Sequence, residues 1–154
     1  MAIADIPSVI DTALDIVELR HKRRESALMQ LVNAAQRRGV VRDDGALIAA
    51  LLRRERLGST ALGKGVAVSH ARSVAVAKPF YVLGRSARGL DWPAPDSLAV
   101  TLVVLVLTPA EMSAEAHLER LASAAASTRL QRTRHKLLES DAATAFALLR
   151  GTPS

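Results

Sequence analysis

The chain contains no cysteine. Disulfides, thiolate catalysis, Cys-ligated zinc and iron–sulfur clusters are therefore excluded. Aromatic residues are nearly absent too: one Trp, one Tyr and two Phe leave the core to Leu, Val, Ile and Ala. Long apolar runs are also missing. The longest, Leu98 to Leu107, is half of the ~20 residues that a membrane helix requires. Asp5, Asp11, Asp15 and Glu18 interrupt any apolar stretch near the N-terminus, so neither a secretory leader nor membrane insertion is expected, and the expected location is cytoplasmic. No internal repeat and no low-complexity linker occurs.

What is present is ordinary globular material. A length of 154 residues predicts one domain, 1–154. The formal net charge is +6, and of the 21 basic residues only Lys22, Lys64, Lys78 and Lys136 are lysines. A basic surface can serve nucleic acid. Here the arginines are scattered, and only Arg20 to Arg24 form a run, so a nucleic-acid partner is not expected.

The hydrophobic pattern alternates between strands and helices. Leu14 to Leu19 reads as a first strand. Glu25 to Arg38 reads as a helix, with Leu28, Leu31, Val32 and Ala35 on one face and Gly39 as its stop. Asp43 or Asp44 is placed to cap a second helix through Arg56, ended by Gly58. Ser59 to Gly65 is expected to be a loop, Val66 to Val68 a short buried strand, Pro79 to Leu83 another, and Gly84 to Pro95 a turn-rich connection. Ala99 to Leu107 is apolar at consecutive positions rather than alternating ones, which predicts a central strand covered on both faces. Ser113 can cap a helix to about Ala126. Thr128 to Glu139 and Asp141 to Leu149 predict two more. Helices on both faces of a sheet make an α/β sandwich.

Two features carry candidate chemistry. GSTALGKG, from Gly58 to Gly65, imitates a P-loop, but Gly65 stands where Ser or Thr should bind magnesium, and the loop follows a helix and opens a strand, the reverse of the required context. Of the four histidines, His21 and His135 sit in basic surroundings. His70 and His117 have no ligand pattern around them, so no metal is expected. His70 follows an apolar strand and a glycine loop, a position that can present a reactive side chain at a sheet edge. A structural histidine fits the same position.

A resemblance decides between those readings. RRERLGSTALGKGVAVSHAR, Arg53 to Arg72, resembles the active-site region of the mannitol, fructose and nitrogen-regulatory type of phosphotransferase-system enzyme IIA: an Arg-Glu pair (Arg54-Glu55), a Gly-Ser-Thr turn (Gly58 to Thr60), a glycine loop (Gly63 to Gly65), a short apolar strand and the phosphorylated histidine, His70. Gly89 to Pro109 looks like the next segment of that family. His117-Leu118, followed by Leu121-Ala122, resembles its helix bearing a second active-site histidine. The likeness spans about residues 14 to 150. One departure stands out: Ser69 occupies the place where the family usually has Pro.

The resemblance implies a mixed β-sheet sandwiched by helices on both faces, as in the mannitol enzyme IIA. It implies a phosphocarrier that accepts a phosphoryl group on His70 from phospho-HPr and passes it to an enzyme IIB, or a regulatory relative whose phosphorylation state controls binding to other proteins. His117 and Arg54 would support the phosphoryl group, with Ser59 and Thr60 as further hydroxyl donors. No cofactor is implied.

Overall fold

The computed structural model describes residues 13–151; Asp5 and Asp11, which argue against a leader, lie outside them. Five strands form one mixed sheet in the order β1-β4-β5-β3-β2. They are β1 (Leu14–Glu18), β2 (Ala61–Gly63), β3 (Val66–Ser73), β4 (Phe80–Leu90) and β5 (Val100–Pro109). β1 runs parallel to β4 and β3 parallel to β5, whereas β4/β5 and β2/β3 are antiparallel.

One face is covered by α1 (Arg24–Arg37) and α2 (Asp44–Leu57), the other by α3 (Ala114–Ser127), α4 (Gln131–Glu139) and α5 (Ala142–Leu149). Alternation along the strands sends Val103, Leu105 and Leu107 of β5 to the first face and Leu102, Val104 and Val106 to the second. β5 is thus the central strand that its unbroken apolar run predicts, and only Thr101 escapes full burial. The fold is the mixed, helix-sandwiched sheet implied by the resemblance.

Helix ends follow local chemistry. Asp43, Ser113 and Asp141 each accept a hydrogen bond from the backbone N–H three residues on, at 3.0, 3.0 and 2.9 Å, which satisfies donors that the first turn leaves open. Gly39 ends the α1 segment at φ 74°.

Three elements differ from expectation. Ser59 to Gly65 is not all loop: Ala61–Gly63 pairs with β3 through a two-residue turn in which Lys64 and Gly65 have φ of 59° and 80°, the type I′ geometry that matches strand twist. β3 runs on to Ser73, so His70 lies within the strand rather than after its end. β4 continues through Gly84 to Leu90, where a turn-rich connection was expected. Gly84 serves packing instead: a Cβ there would come within 2.8 Å of Leu19 and Leu31 side-chain carbons. Glycine lets α1 approach the sheet.

Candidate active site

β3 faces its even-numbered side chains, Val66, Val68 and His70, toward the α3–α5 layer. His117 sits in the first turn of α3 and is buried, because Ser113 caps that helix and turns its fourth residue inward over β5. The two rings meet. His70 Nδ1 and His117 Nε2 are 3.2 Å apart, and the ring centroids 5.3 Å. Behind them, His117 Nδ1 is 2.8 Å from Oγ1 of Thr108, which is fully buried near the end of β5. A line of three groups, Thr108–His117–His70, therefore fixes both nitrogens of His117 and one of His70. The remaining nitrogen, Nε2 of half-buried His70, is the one without a partner in this line.

The surroundings favour neutral rings. Burial, then His117 and Arg54, push the His70 pKa below its ordinary value. Burial, then Arg72 and Arg120, do the same to His117. Desolvation and neighbouring cations disfavour the charged form of each imidazole.

Arg54 is exposed in the last turn of α2. It donates to the Gly58 carbonyl at 2.7 Å, closing the helix C-terminus over the loop that leads to β3. It is near enough to His70 to depress its pKa, and one hydrogen bond leaves most of its five donors for other acceptors. The Ser59 and Thr60 hydroxyls have other partners. Ser59 donates to the Pro93 carbonyl and accepts from Ala61 N–H. Thr60 donates its only hydroxyl proton to Glu55 and takes part in the turn rather than pointing a donor at His70.

Sequence reasoning missed several residues. Glu55, 3% exposed, gathers the Thr60 N–H at 3.1 Å, its hydroxyl, the Trp92 indole N–H at 3.2 Å and Arg24 at 3.5 Å. It braces the turn between α2 and β2, and the Arg-Glu pair in the sequence was its only signal. Thr108, Arg72 and Arg120 gave none that distinguished them from a strand end and surface arginines. Ser69, in the place of the usual Pro, pairs with Leu105 inside the sheet. It is fully buried, and its hydroxyl has no partner among the described residues. His21 and His135 are exposed and take no part.

Residues 9–150 match the model of the phosphoenolpyruvate-dependent sugar phosphotransferase system family EIIA 2. The chain belongs to this family. It is 34% identical over 141 residues to the fructose-specific EIIA component of Haloferax volcanii, covering 92% of this chain and 91% of that protein. The nitrogen regulatory protein IIA-Ntr of Neisseria meningitidis superimposes with a TM-score of 0.77 at 26% identity, covering 89% of this chain and 96% of that one. The fold also matches the Escherichia coli mannitol enzyme IIA solved in complex with phosphorylated enzyme IIB, with a TM-score of 0.70 at 19% identity, covering 89% and 94%. No helix among the described residues is long and apolar enough to cross a membrane.

Proposed function

We propose that this EIIA family member is a phosphocarrier with Nε2 of His70 as its phosphoryl acceptor. The observation that carries this reading is the anchoring of His70 Nδ1 on His117. If His117 donates Nδ1–H to Thr108 and accepts Nδ1–H of His70 at its own Nε2, the His70 Nε2 keeps a lone pair. That lone pair attacks phosphorus. The P–N bond of the donor's phosphohistidine breaks and its electron pair stays on the donor nitrogen. A P–N bond forms on His70, and onward transfer repeats the exchange with the acceptor. The transfer state spreads charge over three equatorial oxygens, and Arg54 is the group we assign to that charge, while His117 holds the His70 ring in place. Neither metal nor organic cofactor is needed for these steps.

The proposed donor is phospho-HPr and the proposed acceptor an enzyme IIB. The solved mannitol IIA–IIB complex supports the latter by analogy of fold. Leu57, Val74 and Leu118 are 82%, 75% and 59% exposed; Leu57 is the last residue of α2, Val74 follows β3 and Leu118 follows His117. They offer the apolar contacts that such docking uses. A regulatory role remains a second reading, supported by the superposition on the Neisseria regulatory protein. In it, the phosphorylation state of His70 would govern binding to another protein. The cytoplasm, where both roles operate, is the proposed location.

The test is incubation with phosphoenolpyruvate, enzyme I and HPr. One acid-labile, base-stable phosphoryl group should appear on the wild type and none on His70→Ala. A label that persists in His70→Ala would sink the assignment. Passing the label on to sugar through IIB-containing membranes separates transport from regulation.

A further inference from the structure

Arg120 is a charge that the phosphocarrier reading leaves unexplained. It lies one turn beyond His117 on α3, on the same side of the helix. Its guanidinium carbon sits 4.5 Å from the centre of the Tyr81 ring. Tyr81 pairs with Val106 on β5, and Val106 pairs with His70 on β3, so Tyr81 and His70 occupy one row of the sheet and face the same helical layer. Nε and Nη2 of Arg120 are buried without a hydrogen-bond partner, and no carboxylate among the described residues pairs with it. Withdrawing a cation from water is costly unless it is neutralised. Arg120 is half-buried and stacked on a ring face, and the like charge of Arg150 adds repulsion.

We propose that Arg120 is a positioning residue of the histidine pair: an unneutralised cation one helical turn from His117, it keeps a second proton off that imidazole and so preserves the order of hydrogen bonds that leaves His70 Nε2 nucleophilic. The inference rests on the phosphocarrier reading for its purpose, although not for its test.

The groups facing His117 can be named. β3 contributes His70 and Arg72, β5 the Thr108 hydroxyl, and α3 Arg120 together with its own N-terminal dipole, which also disfavours an imidazolium. α2 contributes Arg54, which acts on His70, and Tyr81 of β4 lies under Arg120. Glu115 and Glu119 of α3 are exposed. Burial lowers the His117 pKa most, Arg72 next, then Arg120. Arg72 acts from a screened position. Its guanidinium is exposed, and it donates to the Met112 and Ala110 carbonyls at 2.7 and 3.2 Å, so solvent and salt screen it. Two of the three Arg120 nitrogens, Nε and Nη2, are shielded from solvent and unpartnered, so its field reaches His117 less weakened. A role in packing alone would not require a charge.

The experiment is an NMR titration of the His117 ring in the full chain, paired with the pH dependence of phosphoryl acceptance. In Arg120→Met the His117 midpoint should rise by roughly 0.5–1 pH unit, a ~3- to 10-fold change in proton affinity. The acid limb of acceptance should rise with it, while the rate on the alkaline plateau stays near wild type. Arg120→Lys should restore both, and Tyr81→Phe, which keeps the ring platform, should leave both unchanged. If Arg120→Met fails to fold, Arg120→Gln carries the same expectation. A His117 midpoint within ~0.2 unit of wild type in a folded neutral variant overturns the proposal, as does failure of Arg120→Lys to rescue. Should the wild type accept no phosphoryl group, the phosphocarrier reading fails, and the titration still decides the role of Arg120.

Discussion

Thr108→Val tests the line of hydrogen bonds behind His70. The change exchanges a hydroxyl for a methyl of nearly equal size at a site with no solvent exposure, so packing in β5 should survive. What is lost is the 2.8 Å partner of His117 Nδ1. If that nitrogen carries the proton, it becomes a buried donor without an acceptor, at a cost of ~1–3 kcal/mol. His117 can escape by moving its proton to Nε2. That atom then donates to His70 Nδ1, and the His70 proton is forced onto Nε2, the nucleophilic atom. At ~1.4 kcal/mol per factor of ten, the reactive tautomer should become roughly 5- to 150-fold scarcer. We expect phosphoryl acceptance to slow by about tenfold, measured by rapid quench with phosphorylated donor in excess. Nitrogen-15 shifts of both rings should show the exchanged tautomers, and Thr108→Ser should recover the rate. A Thr108→Val protein with wild-type tautomers and a rate within about twofold of wild type would refute the reasoning.

Arg54→Ala should still take up phosphate on His70, but ~10²-fold more slowly, near the lower end for a lost transition-state donor because the site is open to water; an unchanged single-turnover rate would remove Arg54 from the site. The lowered pKa values of both histidines mean that the folded rings stay neutral to a lower pH than free histidine, so the acid limb of acceptance should lie below about pH 6.5. By the same linkage the unfolded chain protonates first as pH falls, so stability should be fully present above about pH 6.5 and decline below it, and His117→Asn should flatten that decline in melting temperature. Val104→Asp, in the centre of β5 and fully buried, should cost ~3 kcal/mol or more; a soluble variant with an unchanged thermal midpoint would contradict the two-sided burial of that strand.

Some elements were legible in the sequence because one physical signal dominated. β5 is apolar at successive positions, and only a strand covered on both faces tolerates that. The caps at Asp43 and Ser113 stand immediately before amphipathic runs. Glycine-rich stretches misled, since glycine serves different ends. Gly65 makes a hairpin turn that Lys64 has to share in a left-handed conformation, and Gly84 makes room for Leu19 and Leu31; both resemble loop residues on the page. The pairing of His70 with His117, 47 positions apart, has no periodic signature, and it came from family resemblance alone. Thr108 and Arg120 were silent because their significance lies in what they face across the sheet.

The brevity of β2 has a further consequence. Its pairing ends at Ala61 opposite Ala67, with the Thr60 carbonyl taking the Val68 N–H. From His70 to Ser73 the flank of β3 turned away from β5 has no strand beside it among the described residues. In this antiparallel register, four more residues in β2 would carry the hairpin past His70 and wall off the approach of any protein the size of a carrier domain. The truncation keeps the doorway open, but a bare strand rim is also a template for unwanted self-association. Arg72 on that rim and Arg54 at the end of α2 are both exposed, and meeting the same charges on a second copy would discourage such stacking. The same charges that would greet a phosphate thus also guard against aggregation, and replacing them for catalytic studies will expose that second duty as a loss of solubility at high protein concentration.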